Sequence, residues 1–179
     1  QAYPKNIDVR LLLAKVYTLL NYYDKSRVLY EEITAIDEYH EESLFHLSLV
    51  YGAQKKFKKS LATLARLEEF SERLPLVHLY QAKIHLEMSN DMDAIQALRK
   101  AIEAKTEHPE VYLLLATLLE AKGQRQEAIK YYEEYSQINA EDIEVLKKLV
   151  DEYIADSNYD KALPLLGELH RMDPTNHKI

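Results

Sequence analysis

Apolar residues recur along this chain at intervals of three and four, the spacing of one face of an α-helix. Short polar breaks interrupt the pattern at regular distances, Gly123-Gln124 and Ser157-Asn158 among them. Written in rows of 34, the sequence gives five complete rows without a gap: 7–40, 41–74, 75–108, 109–142 and 143–176. Breaks fall near columns 15–16 and 31–34 of each row, so each row predicts two helices. Each would run to about 14 residues and about 20 Å at 1.5 Å rise per residue.

The columns show how the two helices meet. Column 8 reads Ala14, Ser48, Ala82, Ala116, Val150, and column 20 reads Ser26, Ser60, Ala94, Ala128, Ala162. Ala, Gly and Ser fill nine of these ten places but only 28 of the 179 in the chain, so the register is not a chance of composition. Small residues at both columns let the two helix axes approach closely. Column 3 reads Val9, Ser43, Val77, Val111, Val145, and column 24 is large throughout: Tyr30, Leu64, Leu98, Tyr132 and Leu166. Column 11 holds Tyr17, Tyr51, His85, Leu119 and Tyr153.

Composition agrees with this picture and narrows the function classes. Three glycines and five prolines are too few to punctuate an all-β fold, which needs a turn every 8–12 residues. With 47% apolar and 30% charged residues the chain can bury a core. A net charge of −7 argues against wrapping a nucleic-acid backbone, and no apolar run approaches the length of a membrane span. The absence of cysteine removes disulfides, thiolate zinc sites and cysteine nucleophiles. Such a chain is at home in cytosol, periplasm or medium alike.

Small residues at column 8, Tyr at 11, Ala at 20, an aromatic at 24 and a period of 34 resemble the tetratricopeptide repeat. Repeat four shows it best, as Tyr112-x2-Leu115-Ala116 followed by Ala128-x3-Tyr132, and Pro174 matches the proline of column 32. No Trp stands in column 4, and repeat three carries His85 and Asp91 where aromatics are usual. The resemblance implies an all-α fold, a right-handed superhelical solenoid of antiparallel helix pairs. One repeat cannot bury its apolar face alone, so stacked neighbours form a continuous core that absorbs most of the fourteen tyrosines.

The phase of the repeat extends past both ends. Tyr3-Pro4-Lys5-Asn6 falls in columns 31–34 and reads as the tail of a preceding repeat; residues 177–179 read as the start of a following helix. Glu152 occupies column 10, where the other repeats have Val16, Val50, Ile84 and Leu118, a partly polar outer face. These features predict a slice of a longer array.

Catalytic constellations are poor. His40-Glu41 lacks a second histidine at the spacing a zinc helix needs, since Leu44 stands there. His78 and His85 share a face without a third ligand, and no spacing of Ser, His and acid suggests a triad. No enzyme, metal or cofactor is predicted. The run Lys55-Lys56-Phe57-Lys58-Lys59 is the one concentrated basic patch, read as the turn between the helices of repeat two with Phe57 packing inward.

The resemblance implies that columns 2, 5, 9 and 12 of the first helices line an inner groove. Column 5 supplies Leu11, Phe45, Leu79 and Leu113; column 9 supplies Lys15, Leu49, Lys83 and Thr117; column 2 rims them with Asp8, Glu42, Glu110 and Glu144. An exposed apolar stripe with a charged rim commonly marks a protein-binding groove. Repeats that clamp a C-terminal carboxylate use Asn with Lys and Arg in these columns; this groove lacks the asparagines. The expectation is therefore a protein-interaction scaffold or adaptor that takes a protein or peptide segment by apolar anchors with basic flanks. The alternatives are a regulatory or substrate-docking region of a larger enzyme, and a module that self-assembles into homo-oligomers.

Overall fold

Helix starts follow the caps that the sequence supplies. Asn6, His40 and Asp142 each accept a main-chain hydrogen bond from the residue three positions on, Val9 (3.3 Å), Ser43 (3.2 Å) and Val145 (3.2 Å). Pro75 and Pro109 lie in the first turn of two further helices, where a missing N–H costs no bond. The structure, a computed structural model, describes residues 6–172. Among them are ten helices and no strand: α1 (Ile7–Leu19), α2 (Tyr23–Ile36), α3 (Glu41–Ala53), α4 (Phe57–Glu68), α5 (Leu74–Glu87), α6 (Asp91–Glu103), α7 (Pro109–Ala121), α8 (Arg125–Ile138), α9 (Ile143–Ala155) and α10 (Tyr159–Met172). The segments around Pro4 and Pro174 and the helix expected at His177 lie outside the described residues.

All five turns within the pairs share one geometry. The residues Asn21, Lys55, Ser89, Gly123 and Ser157 have φ between 56° and 75°, the left-handed region. The next residue's N–H donates back to the carbonyl five positions earlier, from Tyr22 to Tyr17 through Asn158 to Tyr153, at 2.7–2.8 Å. This 6→1 bond satisfies a carbonyl that the helix end leaves open. The lysine run is therefore only partly a turn. Lys55 reverses the chain, and Phe57, Lys58 and Lys59 already form the first turn of α4.

The chain divides into two compact units, Gln1–Ala104 and Lys105–Ile179. In the first, α1–α2, α3–α4 and α5–α6 pack as antiparallel pairs, with α2 against α3 and α4 against α5. The small columns are fully buried: Ala14, Ser26, Ser48, Ala82 and Ala94 expose nothing, and Ser60 almost nothing. Ser26 and Ser60 hydroxyls donate across the pair to the carbonyls of Ala14 (3.0 Å) and Ser48 (2.8 Å). Around these contacts Tyr30, Ile33, Leu47 and Val50 form one core cluster, and Leu44, Leu64, Leu67 and Val77 another. Burying each such side chain stabilises the fold by about 1.5–3 kcal/mol.

In the second unit α7 pairs with α8 and α9 with α10. Ala116, Ala128 and Ala162 hold the small positions, and Leu146, Val150 and Leu169 close the last pair. Pro164 lies inside α10. Among the described residues no helix is long and apolar enough to cross a membrane.

Candidate protein-interaction surface

In the first unit the column-5 residues of α1, α3 and α5 divide into different environments. Leu11 is half-buried and packs on the α1–α3 core beside Ile7. Leu79 is only 2% exposed, so the apolar stripe expected through it is interrupted there. Phe45 stays half-buried, resting on the Leu44–Leu64 core and meeting the Tyr80 ring edge-on at 5.1 Å and 85°. Leu49, one turn further along α3, is half-buried as well.

The charged columns pair across neighbouring repeats. Lys15 of α1 lies 2.5 Å from the Glu42 carboxylate of α3. The hydrogen bond that Lys15 donates holds the Glu42 carboxyl below its ordinary pKa. His46 approaches the same carboxylate at 3.9 Å and stacks on Tyr30 at 5.7 Å. Burial pushes the His46 pKa down, favouring the neutral ring. Lys83 lies 5.1 Å over the Tyr80 ring. The result is an aromatic and apolar patch of Phe45, Tyr80 and Leu49, set between Lys15–Glu42 on one side and Lys83 on the other. Asp8 is exposed at its α1 edge. Column spacing did not single out His46 and Tyr80; both stand in column 6, immediately after the column-5 residues Phe45 and Leu79.

In the second unit Leu113 is half-buried and Thr117 exposed, with Glu110 and Glu144 exposed beside them. The Thr117 hydroxyl donates to the Leu113 carbonyl at 2.8 Å. Beneath it the Tyr132 hydroxyl and the Lys148 ammonium both donate to Glu120, each at 2.7 Å. Donation from Lys148 and then Tyr132 lowers the Glu120 carboxyl pKa. This network joins α7, α8 and α9 and consumes its own charges.

The histidines weighed as ligands serve local structure. His40 caps α3, and the His78 Nδ1 lies 3.0 Å from the Gln81 side chain, which in turn donates to Glu68 at 3.0 Å. His85 faces Asp93 at 3.7 Å. Among the described residues no group of three or more His, Cys, Asp or Glu is placed to hold a metal ion.

Comparison with known proteins places this geometry. Residues 93–150 match the tetratricopeptide-repeat family model. Lipopolysaccharide assembly protein B of Haemophilus influenzae is 26% identical over 125 residues, which cover 68% of this chain and 32% of that protein. The chain thus spans about a third of the length of that curated relative. Among solved structures, MamA aligns over 97% of this chain and 96% of its own with a TM-score of 0.75 at 15% identity. Pseudomonas aeruginosa PilF aligns over 97% and 79% with a TM-score of 0.77 at 19% identity. YrrB, a TPR protein with an unusual peptide-binding site, aligns over 93% and 86% with a TM-score of 0.67 at 14% identity. First helices begin at Ile7, Glu41, Leu74, Pro109 and Ile143, steps of 34, 33, 35 and 34 residues, so the period that residues 93–150 share with the family continues on both sides of them. Five such helix pairs among the described residues give the chain an all-α, tetratricopeptide-like repeat architecture.

Proposed function

We propose that this chain is a protein-interaction scaffold that seats a partner segment on the α1–α3–α5 face of its first unit. The observation that carries the reading is the Phe45–Tyr80 aromatic pair, left partly open beside Leu49 in a fold that buries apolar rings wherever neighbours allow. Such a patch anchors an apolar side chain. Charge on both sides selects what surrounds the anchor: Asp8 and Glu42 favour a basic flank, and Lys83 favours an acidic or carbonyl group. The peptide-binding site of the fold neighbour YrrB supports the same use of the architecture.

Leu79 is too buried to serve as a direct contact, so the testing variant is Phe45→Ser combined with Leu49→Ser. A photo-crosslinking residue at Leu49 in the intact protein captures the partner, and the captured segment is mapped. The double variant should lose at least tenfold in affinity for that segment while its circular dichroism is unchanged. Equal binding by the double variant would remove this face from consideration.

A further inference from the structure

We infer that a cavity between α4, α5 and α6 of the first unit receives an arginine side chain of a protein partner. The cavity is separate from the face proposed above: at 100° per residue His85 lies about 160° around α5 from Lys83. The two readings stand or fall independently.

Two joints between successive repeats are closed in the same way. In the first unit the Tyr51 hydroxyl of α3 donates to Glu31 of α2 at 2.7 Å, and Lys59 of α4 lies 5.6 Å over the Tyr51 ring. Arg27 pairs with the same Glu31 at 2.7 Å. In the second unit Tyr153 of α9 donates to Glu133 of α8. Lys161 of α10 lies 2.5 Å from that carboxylate and 5.2 Å over the Tyr153 ring. Each joint therefore has a ring that fills space, an acid that accepts from it and a cation that pairs with the acid.

Between α4, α5 and α6 all three parts change. The tyrosine position holds His85, the glutamate position Ala65 and the lysine position Asp93. Both His85 and Ala65 are smaller than the residues they stand for, and a cavity of about 360 Å³ is left there. Leu61, Ala65 and Ala97 give it an apolar wall; Gln81, His85 and Asp93 lie around them. The carboxylate has moved to Asp93 while the cation that matches it in the other joints is gone. Among the described residues the ion-pair partner of Asp93 is His85 alone, at 3.7 Å. That is beyond hydrogen-bonding distance, and the buried His85 Nδ1 makes no hydrogen bond. The other charges at the cavity are satisfied: Glu68 accepts from Gln81 at 3.0 Å and from Lys100 at 2.9 Å.

Chemistry identifies the occupant. As the neutral Nε2–H tautomer, His85 offers Nδ1 as an acceptor beside the Asp93 carboxylate. The occupant brings a donor to each, one positive charge, and an aliphatic stem to lie on Leu61, Ala65 and Ala97. A guanidinium meets all of these, because its parallel N–H groups reach two acceptors at once, whereas an ammonium is a point charge. The mouth is open, with Asp93, Gln96 and Lys100 exposed, so the cavity does not enclose a free ligand as small-molecule sites do. A side chain held by a partner's backbone needs no such enclosure.

The probe is the capped tripeptide Ac-Ala-Arg-Ala-NH2, titrated into the 179-residue chain and followed by proton–nitrogen correlation NMR. Saturable shifts are expected at the Ala65 and Ala97 amides and at the His85 ring nitrogens, with a Kd on the order of 1 mM. The citrulline peptide, equal in shape but uncharged, should bind about tenfold more weakly, and the lysine peptide should also bind more weakly. Asp93→Asn in the protein should reproduce the tenfold loss. His85→Tyr with Ala65→Glu and Asp93→Lys rebuilds the joint, and should keep the circular dichroism and abolish the shifts. Should that triple variant misfold, Asp93→Asn carries the comparison, since its side chain is more than half exposed. Absence of saturable shifts up to about 10 mM peptide would overturn the inference. So would equal binding of the citrulline or lysine peptide, unchanged affinity in Asp93→Asn, or shifts that persist in a folded triple variant.

Discussion

Five turns with one backbone geometry and four residue types, Asn, Lys, Ser and Gly, make a natural substitution series. Lys55, Ser89 and Ser157 hold φ of 56–58°, a conformation that places an L-residue's Cβ against its own carbonyl. That costs about 1–2 kcal/mol relative to glycine, while glycine gives up about 0.5–1 kcal/mol of chain entropy on folding. Ser89→Gly and Lys55→Gly should therefore stabilise the protein by about 0.5–1 kcal/mol each. Gly123→Ala should cost about the same: a Cβ at Gly123 meets nothing within 4 Å, so the backbone alone sets the penalty. Asn21→Gly should gain less, because asparagine enters the left-handed region readily. Hydrogen bonds at the five turns match within 0.1 Å for the 6→1 contact, so differences among the variants isolate the conformational term. Urea unfolding followed by circular dichroism at 222 nm reads the shifts; in thermal melts they correspond to about 2–4 °C per kcal/mol. A neutral Gly123→Ala together with a destabilising Ser89→Gly would refute the reasoning, since both signs follow from the same φ.

Alkaline titration tests the Tyr51–Glu31 joint. Burial and then donation to Glu31 push the Tyr51 phenol up to about 12, and Tyr153 is raised by burial and Glu133. Stability from the neutral phenol is complete below pH 10 and lost as pH rises through 12. For Tyr51 it amounts to at most about 2.7 kcal/mol. Absorbance at 295 nm should show phenols ionising together with unfolding, and Tyr51→Phe should flatten the stability profile between pH 10 and 12; an unchanged profile counts against the joint. Leu64→Ala removes a fully buried side chain from the α3–α5 core and should cost about 2–5 kcal/mol by urea melt. Pro164→Ala restores a donor to the Asp160 carbonyl inside α10 and should stabilise that helix by about 2 kcal/mol, visible as slower amide exchange from Ala162 to Leu169.

The repeat was legible because each pair solves the same packing problem with the same residues. Ala14 and Ser26, Ser48 and Ser60, Ala116 and Ala128 face each other within one repeat, 12 residues apart in every case. A contact that recurs at fixed short separation leaves a column in the sequence. The turns were legible only as polar breaks: nothing in Lys55 or Ser89 announces a positive φ. The lysine run misled for the same reason, since a helix that restarts directly after a left-handed residue leaves no polar gap for Phe57 to sit in.

The candidate surface was legible in its residue types and not in their state. Column counting gathered Leu11, Phe45 and Leu79 as equivalents, yet Leu11 leans on the core, Phe45 meets Tyr80 and Leu79 is sealed. Equivalence in a repeat ends where neighbouring repeats differ, because each first helix is covered by side chains of the adjacent repeats as well as its own. By itself the sequence determined the period of 34, the helix pairs and their close approach, all set by contacts within a repeat. Only the tertiary structure decided that Lys15 pairs with Glu42, that Phe45 stays partly open, and that Val9, Leu13 and Val16 lie uncovered. Exposure is fixed by what packs alongside, and that is settled between repeats rather than within them.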